Sequence, residues 1–418
     1  MNLHQVKKVT VVGAGAVGLA SAYYLRKTGC EVTVIDPAPL AAKASGHNAG
    51  WVIPSMSTPV PAPGVLWQAL RWILQSDSPL YVTPSLKPSF IDFMLRMLCS
   101  CTSTRFQEGS AVLASLSAGA LAQFDELAAD GVQFESHEEP LTMLFTNPHK
   151  FDMRVKELQT LDGQLPGFSW EHMDVDGLRL HMPSLAHKVV AGIASRGDRS
   201  VDPASLVRGL ADACQRDGVE ILLGSAASLE KQRGGQMGVK VNGNVLTSDR
   251  VVVAAGAWTQ KVLAGIGEHL PLQAGKGYGY DLPVTVDAPT APLYLAEARV
   301  AVTPFSDRIR VAGTMGIGGI DESIKRRRAE GILTGASAYF EDWPDVTGAP
   351  TPWLGLRPMT PDGVPIIGPL SRHPNVLVAT GHAMLGISLA PVTGRLIAEL
   401  AIGARHPDQL VGVSTNRF

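Results

Sequence analysis

The chain is short of cysteine, of net charge and of long apolar runs. Its 418 residues include four cysteines and carry a formal net charge of −2. The cysteines have the spacing of neither a metal site nor a disulfide framework, and a reducing cytoplasm fits this usage. A balanced charge gives no general attraction for nucleic acid or for an anionic membrane. No uninterrupted apolar stretch reaches the length of a membrane span.

The most informative stretch is VTVVGAGAVGLASAYYLRKTGCEVTVID, at residues 9–36. A β-branched run leads into Gly13, Gly15 and Gly18, a helix-like segment follows, and a second apolar strand ends in Asp36. This order predicts dinucleotide binding, because the glycines allow a tight turn, close approach of a pyrophosphate and close packing of helix on strand. The helix N-terminus would face the phosphates and Asp36 would accept hydrogen bonds from a ribose.

The alternation of strand and helix is interrupted after this unit and returns near residue 201. The nucleotide-binding fold is therefore predicted to form from separated stretches, with another domain inserted between them. A nicotinamide dehydrogenase usually completes its Rossmann sheet in one continuous run, so the interruption favours flavin over nicotinamide.

Several further segments carry a resemblance to a known family. They are ASGHNAGWV (44–52), Asp202-Pro203, VVVAAGAW (251–258), GKGYGYDL (275–282), VAGTM (311–315), LGLRPMTPDGVPIIG (354–368) and GHAMLGISLAPVTGRLIAEL (381–400). Together with the opening motif they span nearly the whole chain in one order. The chain thus resembles the flavin-dependent amine oxidoreductases, the superfamily that includes D-amino-acid dehydrogenase, glycine oxidase and sarcosine oxidase. Among its members, the D-amino-acid dehydrogenases are the most similar.

The resemblance implies an α/β fold class, in which a Rossmann-like FAD-binding domain carries an inserted α+β substrate domain on a mixed or antiparallel sheet. We predict that residues 1–60, 191–270 and 345–418 form the FAD-binding domain. The substrate-binding domain would then comprise residues 61–190 and 271–344.

The resemblance also implies a bound FAD, held noncovalently. Beyond the opening motif, the residues expected to contact it are Ser45, His47, Asn48, Ala49, Gly50, Ala255, Gly256, Trp258, Gly381, Gly386, Ile387 and Ser388. Ser388 is predicted to cap the closing helix, whose positive N-terminal end would stabilise reduced flavin. A covalent link at His47 is the alternative, because sarcosine and dimethylglycine dehydrogenases place a flavin-bonded histidine just before a similar Ala-Gly step.

Arg357 is the predicted substrate anchor, because a planar guanidinium holds a carboxylate through two parallel hydrogen bonds. The arginine of the matching GLRP motif plays this part in glycine oxidase-like relatives, and a structural salt bridge with Asp362 is the alternative. Tyr278 and Tyr280 point the same way from their strand and would complete the catalytic site, with core packing as the alternative. The final Gly-His turn has no second arginine, which is against the glycine oxidase subtype.

These features predict FAD-dependent oxidative deamination of a small amino acid, a D-amino acid above all, with proline-like or other cyclic substrates included. A hydride would pass from Cα to flavin N5, and no metal is required. The alternative is a secondary-amine oxidase of the sarcosine or glycine oxidase type that uses O2. An NAD-dependent dehydrogenase and a noncatalytic flavin-fold scaffold are minor alternatives. Reduced flavin would pass its electrons to a quinone or to O2.

Residues 65–101 are apolar at helical spacing in VLWQALRWILQ and FIDFMLRMLCSC, with Arg71 and Arg96 interspersed. Two core helices of the substrate domain are the favoured interpretation. A lid, or a peripheral contact with the inner face of a membrane by an otherwise cytoplasmic protein, is the alternative.

Overall fold

The structure is a computed structural model that describes residues 6–64, 80–161, 167–182, 184–232, 237–285, 288–343, 351–404 and 410–418. The helices of these residues are α1 (Ala16–Lys27), α2 (Pro88–Ser100), α3 (Ser103–Ser117), α4 (Ala120–Ala129), α5 (Pro148–Leu161), α6 (Val175–His181), α7 (Pro203–Arg216), α8 (Thr259–Leu263), α9 (Arg326–Ser337) and α10 (Ala390–Ala401).

The strands follow the chain in this order. They are β1 (Lys8–Val12), β2 (Glu31–Asp36), β3 (Trp51–Val52), β4 (Leu80–Val82), β5 (Ser136–His137), β6 (Leu141–Phe145), β7 (Ser169–Met173), β8 (Ala191–Arg196), β9 (Arg199–Val201), β10 (Glu220–Leu223), β11 (Ala227–Lys231), β12 (Met237–Val241), β13 (Asn244–Ser248), β14 (Arg250–Val253), β15 (Gln273–Leu282), β16 (Leu293–Leu295), β17 (Val300–Pro304), β18 (Ile309–Ile317), β19 (Trp353–Met359), β20 (Ile366–Pro369) and β21 (Val376–Thr380).

A six-stranded sheet in the order β10-β2-β1-β14-β21-β20 forms the nucleotide-binding half of the described chain. Its strands pair in parallel except for β20. The central strands are nearly continuous runs of valine and isoleucine, as expected for strands buried on both faces. Helices α1, α7 and α10 pack together in the largest hydrophobic core. Because β1 pairs in parallel with both β2 and β14, the carboxyl ends of these three strands meet at one edge of the sheet.

The other half is built on a mixed sheet, in the order β19-β15-β18-β17-β16-β6-β8-β7, with β4 paired to β18. Most of its pairs are antiparallel, while β6 with β16 and β4 with β18 are parallel. The predicted fold class is thus confirmed: an α/β nucleotide-binding part with an α+β part on a mixed sheet. Strands β8 and β19 belong to this sheet, although the predicted division assigned residues 191–196 and 353–359 to the FAD-binding domain.

Helix α2 belongs to the predicted amphipathic stretch; residues 65–79 of that stretch lie outside the described residues. Phe90, Phe93 and Met97 of α2 are buried and pack on methionines of β18 and β19. Ile91 and Leu95 on the opposite side are exposed. The core interpretation therefore holds for one face of α2. Among the described residues, no helix combines the length and the apolar character that crossing a membrane requires.

Candidate active site

The turn after β1 is packed too tightly to admit side chains. Gly13 has φ +117°, and a Cβ at this position would lie 2.4 Å from the carbonyl oxygen of Ala254. A Cβ on Gly18 would lie 1.9 Å from the oxygen of Gly13. These contacts force the backbone of the turn against the end of β14 and bring α1 onto β1, as the dinucleotide motif requires.

Two polar side chains brace this turn from outside it. The hydroxyl oxygen of Ser45 accepts a hydrogen bond from the N–H of Ala16 at 3.0 Å. A Cβ on Gly15 would lie 2.8 Å from the same oxygen. The carboxylate of Asp36 accepts from the N–H of Ala14 at 2.8 Å. The structure therefore places Ser45 and Asp36 at the N-terminal end of α1.

The loop of residues 44–50, which we call the cofactor loop, is held in shape by Asn48. The Asn48 amide donates to the carbonyl oxygens of Ala44 and Ser45, and its side-chain oxygen accepts from the N–H of Gly50 at 2.8 Å. Gly50 has φ +75°. The carbonyl oxygen of Ala49 accepts from the Thr303 hydroxyl at 2.9 Å. The predicted loop residues are thus brought together, and the loop is tied to the mixed sheet.

His47 projects from the cofactor loop onto β19. Its ring stacks on Trp353 with the centroids 5.4 Å apart and the planes 14° from parallel. Burial lowers the pKa of His47, and the nearby Arg310 cation lowers it further. The imidazole is therefore neutral at neutral pH.

The turn before the closing helix α10 contains Gly381 and His382, and His382 forms a β-bridge with Met359 at the end of β19. Gly381 has φ +78°, and a Cβ there would lie 2.5 Å from Thr360. His382 is buried with its Nε2 2.9 Å from the Thr393 hydroxyl, and burial lowers its pKa to about 4.

The prediction that Ser388 caps α10 is wrong. Leu389 occupies the N-cap position, and the Ser388 hydroxyl donates instead to the carbonyl oxygen of Trp51 at 2.8 Å. The hydroxyl therefore joins the closing turn to the strand that follows the cofactor loop. Pro391 lies in the first turn of α10, where its missing N–H costs no helical hydrogen bond.

The start of α10 has the features of a cofactor site. In the part of the chain that the structure describes, the N–H groups of Gly386, Ile387 and Ser388 donate to no protein acceptor. A Cβ on Gly386 would meet no atom closer than 3.9 Å, so packing within the protein does not require glycine there. Unpaired N–H groups at the positive end of a helix dipole suit the polar edge of a flavin ring.

The turn after β14 lies beside the same site. Gly256 has φ +52°, and its carbonyl oxygen accepts from the Thr380 hydroxyl at 3.1 Å. The ring of Trp258, in the short helix that follows Ala255, lies 5.3 Å from the Lys43 ammonium. The structure thus brings Ala255, Gly256 and Trp258 to the edge of the sheet where the glycine turn lies.

Arg357 on β19 extends across β15 toward the bulge in β18. A Cβ on Gly277 would lie 2.3 Å from Nη1 of Arg357, so the guanidinium rests directly over that glycine. Nη1 donates to the carbonyl oxygen of Thr314 at 2.9 Å, and burial lowers the pKa of Arg357 to about 10. Within the described residues, Nε and Nη2 of Arg357 donate to no acceptor and no carboxylate pairs with it. The alternative salt bridge is wrong, because Asp362 is paired with Arg417 at 2.7 Å.

Tyr278 and Tyr280 lie on the other face of the mixed sheet. They alternate along β15 with Gly275, Gly277 and Gly279, and both are buried against α9 in a hydrophobic core. The Tyr278 hydroxyl lies 3.4 Å from the Tyr81 hydroxyl. The prediction that these tyrosines complete the site beside Arg357 is therefore contradicted by their placement, and the core-packing alternative fits it. On the face of Arg357, β15 presents glycine.

Sequence reasoning missed two residues of this face. Arg310 joins β18 to the cofactor loop, and Thr314 forms a bulge with φ +62° whose carbonyl oxygen holds Arg357. Among the described residues, the buried Thr314 hydroxyl has no hydrogen-bond partner. A signal for Thr314 existed in the VAGTM segment, whereas nothing in the local sequence marks Arg310, since its partners come from three distant stretches.

Comparison with known proteins agrees with this geometry. The family model DAO, described as FAD dependent oxidoreductase, matches residues 8–400. The chain belongs to this family.

Among curated relatives, D-amino acid dehydrogenase of Xanthobacter autotrophicus is 35% identical to this chain, over 96% of each of the two chains. The protein of that name from Methylobacterium sp. is 34% identical over 96% of each chain. Among solved structures, glycine oxidase from Geobacillus kaustophilus superposes with a TM-score of 0.78 at 21% identity and covers 99% of each chain. The last comparison shows the fold alone. FAD dependence rules out the NAD-dependent alternative, and membership of an oxidoreductase family is against a noncatalytic scaffold.

Proposed function

We propose that this chain oxidises a free D-amino acid with a small apolar side chain to the imino acid. One observation carries the proposal: Nε and Nη2 of Arg357 are left without acceptors on the face of the sheet that the cofactor loop approaches. Arg357 is half-buried, and withdrawing a guanidinium from water without a carboxylate partner is destabilising unless a ligand completes it. A substrate carboxylate would do so through two parallel hydrogen bonds.

The surroundings of Arg357 support an apolar side chain on the substrate. The sulfur of Met315 lies 3.8 Å from Nη1 of Arg357, and Met359 flanks Gly275 on the same face. These methionines pack with Phe90 and Phe93 of α2. An acidic or basic side chain would lose its hydration there without gaining a partner. The name of the curated relatives supports D-amino acids over L-amino acids.

FAD would be held by the glycine turn with Asp36 and Ser45, by the cofactor loop, by residues 255–258 and by the N–H groups of residues 386–388. When bound, it accepts the hydride from the substrate Cα. Arg357 fixes the carboxylate, and Thr314 O fixes Arg357. The amine nitrogen supplies the electron pair that forms the C=N bond, so no side-chain base is needed if the amine arrives neutral. Water then hydrolyses the imino acid to a keto acid and ammonia.

An anaerobic flavin-reduction screen tests this proposal. D-alanine and D-proline are expected to bleach the flavin, while D-aspartate, L-alanine and sarcosine are expected to react far more slowly. Arg357→Leu should raise the substrate Kd by roughly 30-fold or more, because a charge-paired anchor contributes about 2 kcal/mol or more. Arg327→Leu removes the same group from an exposed site on α9 and serves as the matched control. If flavin reduction in Arg357→Leu gives the same substrate Kd as in the wild type, Arg357 is not the substrate anchor.

The second candidate is a secondary-amine oxidase that uses O2, for which the glycine oxidase fold is the supporting observation. His382, Ala383 and Met384 occupy the closing turn where such relatives can carry a second arginine. Sarcosine reducing the flavin faster than D-alanine would favour this candidate.

We propose noncovalent attachment of the FAD. His47 is stacked on Trp353, and its ring is thereby already occupied by a protein contact. Acid precipitation should release all flavin into the supernatant. Flavin that stays with the pellet in the wild type but not in His47→Asn would establish the covalent alternative.

For the electron acceptor we propose a membrane quinone, reached through the exposed face of α2. Leu86, Ile91 and Leu95 are 94%, 45% and 57% exposed, next to the buried face that packs beside the site. Exposed apolar side chains on an amphipathic helix favour a membrane surface. The chain should float with anionic vesicles, and Leu95→Glu should weaken flotation while Leu180→Glu, at another exposed leucine, should not. If neither the wild type nor Leu180→Glu floats and O2 rapidly reoxidises the reduced flavin, oxygen would be favoured as the electron acceptor.

A further inference from the structure

Arg310 occupies the junction between the cofactor loop and the mixed sheet. It lies on β18 and is 3% exposed. Its Nε and Nη2 donate to the two carboxylate oxygens of Asp281 on β15, at 2.7 and 2.9 Å. Its Nη1 donates to the carbonyl oxygens of Gly46 and Asn48, each at 3.0 Å. One guanidinium therefore joins two strands to both sides of His47.

The same guanidinium is enclosed by aromatic rings. Its central carbon lies 5.1 Å from the ring of Trp353 and 5.6 Å from that of Phe305. Trp353 in turn stacks on His47, and its indole N–H donates to Asp281 at 3.3 Å. Cofactor loop, β15, β18 and β19 thus meet in one closed network around Arg310.

The charges in this network are balanced by Asp281. Burial would raise the pKa of that carboxyl, but the hydrogen bonds and charge of Arg310 hold it below its ordinary value. Arg308 adds a weaker contact to Asp281 at 3.5 Å and a closer one to Asp202 at 2.6 Å. A buried ion pair of this kind is weak evidence for stability, since the desolvation of both groups offsets their attraction. Its geometry points instead to positioning.

We propose that Arg310 is a positioning residue that sets the cofactor loop against the strands that carry Gly277 and Arg357. The inference rests on the proposed function, since it links the FAD-contacting loop to the substrate anchor. Lysine cannot replace arginine here, because its single nitrogen cannot span two carboxylate oxygens and two carbonyl oxygens in a planar fork. Without the guanidinium, the carbonyl oxygens of residues 46 and 48 lose their shared hydrogen-bond donor. The cofactor loop is then no longer held in its position against the sheet.

The test compares Arg310→Lys with a matched control, Arg417→Lys. Arg417 also grips a carboxylate through two nitrogens, that of Asp362, and donates to the carbonyl oxygens of Val364 and Ser414. It ties the end of the chain to the turn of residues 360–364 instead of the cofactor loop. The FAD Kd of each apoprotein is measured by flavin fluorescence, and the thermal midpoint of each apoprotein is recorded beside it.

Arg310→Lys is expected to raise the FAD Kd by about tenfold over Arg417→Lys, at a similar loss of thermal midpoint, because the two hydrogen bonds to the loop are lost. At saturating FAD, its visible flavin circular dichroism should also change. An FAD Kd raised no more than in Arg417→Lys, with an unchanged flavin spectrum, would overturn the proposal.

Asp281→Asn keeps the experiment decisive if Arg310→Lys does not fold. It leaves the hydrogen bonds of Arg310 to the cofactor loop but removes one of the two carboxylate oxygens that hold Arg310 on β15. The FAD Kd should therefore rise by about threefold or more. No rise would overturn the proposal. Because these readouts need no substrate, they remain informative even if every amino acid fails to reduce the flavin, the result that would refute the proposed function.

Discussion

At the scale of single residues, alternation along β15 decides which side chains take part in chemistry. Gly275, Gly277 and Gly279 lie on the face of Arg357 and Trp353, whereas Tyr278 and Tyr280 face the core. The sequence shows that the two tyrosines share a face, since side chains alternate in a strand. It does not show which face meets the cofactor, because that depends on how distant strands pair.

Replacing Gly277 by alanine should damage substrate binding and spare FAD binding. The new methyl group would lie 2.3 Å from Nη1 of Arg357 and would displace the guanidinium. A displaced anchor should raise the substrate Kd by about tenfold, the equivalent of roughly 1.4 kcal/mol. Stopped-flow reduction gives the substrate Kd, and Gly119→Ala is the control, since a Cβ there meets nothing closer than 3.7 Å. An unchanged substrate Kd would mean that the guanidinium acts elsewhere.

Tyr278→Phe tests the corrected placement of the tyrosines. Its hydroxyl lies near only weak partners, at 3.4 Å from the Tyr81 hydroxyl and 3.4 Å from the N–H of Lys325. Removing it should change the free energy of unfolding by about 1 kcal/mol or less and leave the substrate Kd as it was. A large rise in the substrate Kd in titrations of the variant would restore the tyrosine to the site.

At the scale of elements, local patterns predicted the opening strand–turn–helix–strand unit and the amphipathic helix α2, whereas a tertiary contact of a side chain accounts for one miss at α10. Asp202 caps α7 in the way that an Asp-Pro sequence favours, with its carboxylate accepting from the N–H of Ser205 at 3.1 Å. Ser388 has an equally good capping sequence, yet its hydroxyl bonds to Trp51 instead. The local rule fails there because α10 begins only after an N-cap at Leu389, and the Ser388 hydroxyl has a tertiary partner.

The closing turn should make the protein sensitive to acid. The pKa of His382 is lowered by burial to about 4, below its ordinary value of 6.5. The unfolded chain therefore takes up a proton near pH 6.5 that the folded chain refuses until about pH 4, so stability is lost as the pH falls through this range. Between pH 7 and 5 the loss from this residue should be about 2 kcal/mol.

Urea unfolding of wild type and His382→Gln at both pH values measures that loss as a difference. The variant should show the smaller decline, and His149→Gln, at an exposed position, should behave like the wild type. Equal declines in wild type and His382→Gln would show that His382 is protonated without cost in the folded protein.

At the scale of the whole molecule, the cofactor site is assembled from stretches more than 300 residues apart. The nucleotide half was predictable because its motif contains strand, turn, helix and acid within 28 residues. The Arg310 network was not, since Gly46, Asp281 and Arg310 converge only after β15 and β18 have paired in a particular register. The strands β8 and β19 crossed the predicted boundaries for the same reason: sheet partners are chosen by tertiary pairing.

Such an assembly predicts that FAD stabilises both halves together. Ligand present at 100 times its Kd adds about 2.7 kcal/mol to the free energy of unfolding, because it binds the folded chain alone. Hydrogen exchange of apoprotein and FAD-loaded protein locates the effect. Arg310 joins the cofactor loop to β18, and Ser388 joins the strand after that loop to the turn before α10. Protection should therefore rise in β15, β18 and α10 as well as in β1 and α1. Protection confined to residues 8–36 would mean that the two halves open independently and that the loop transmits no constraint to the mixed sheet.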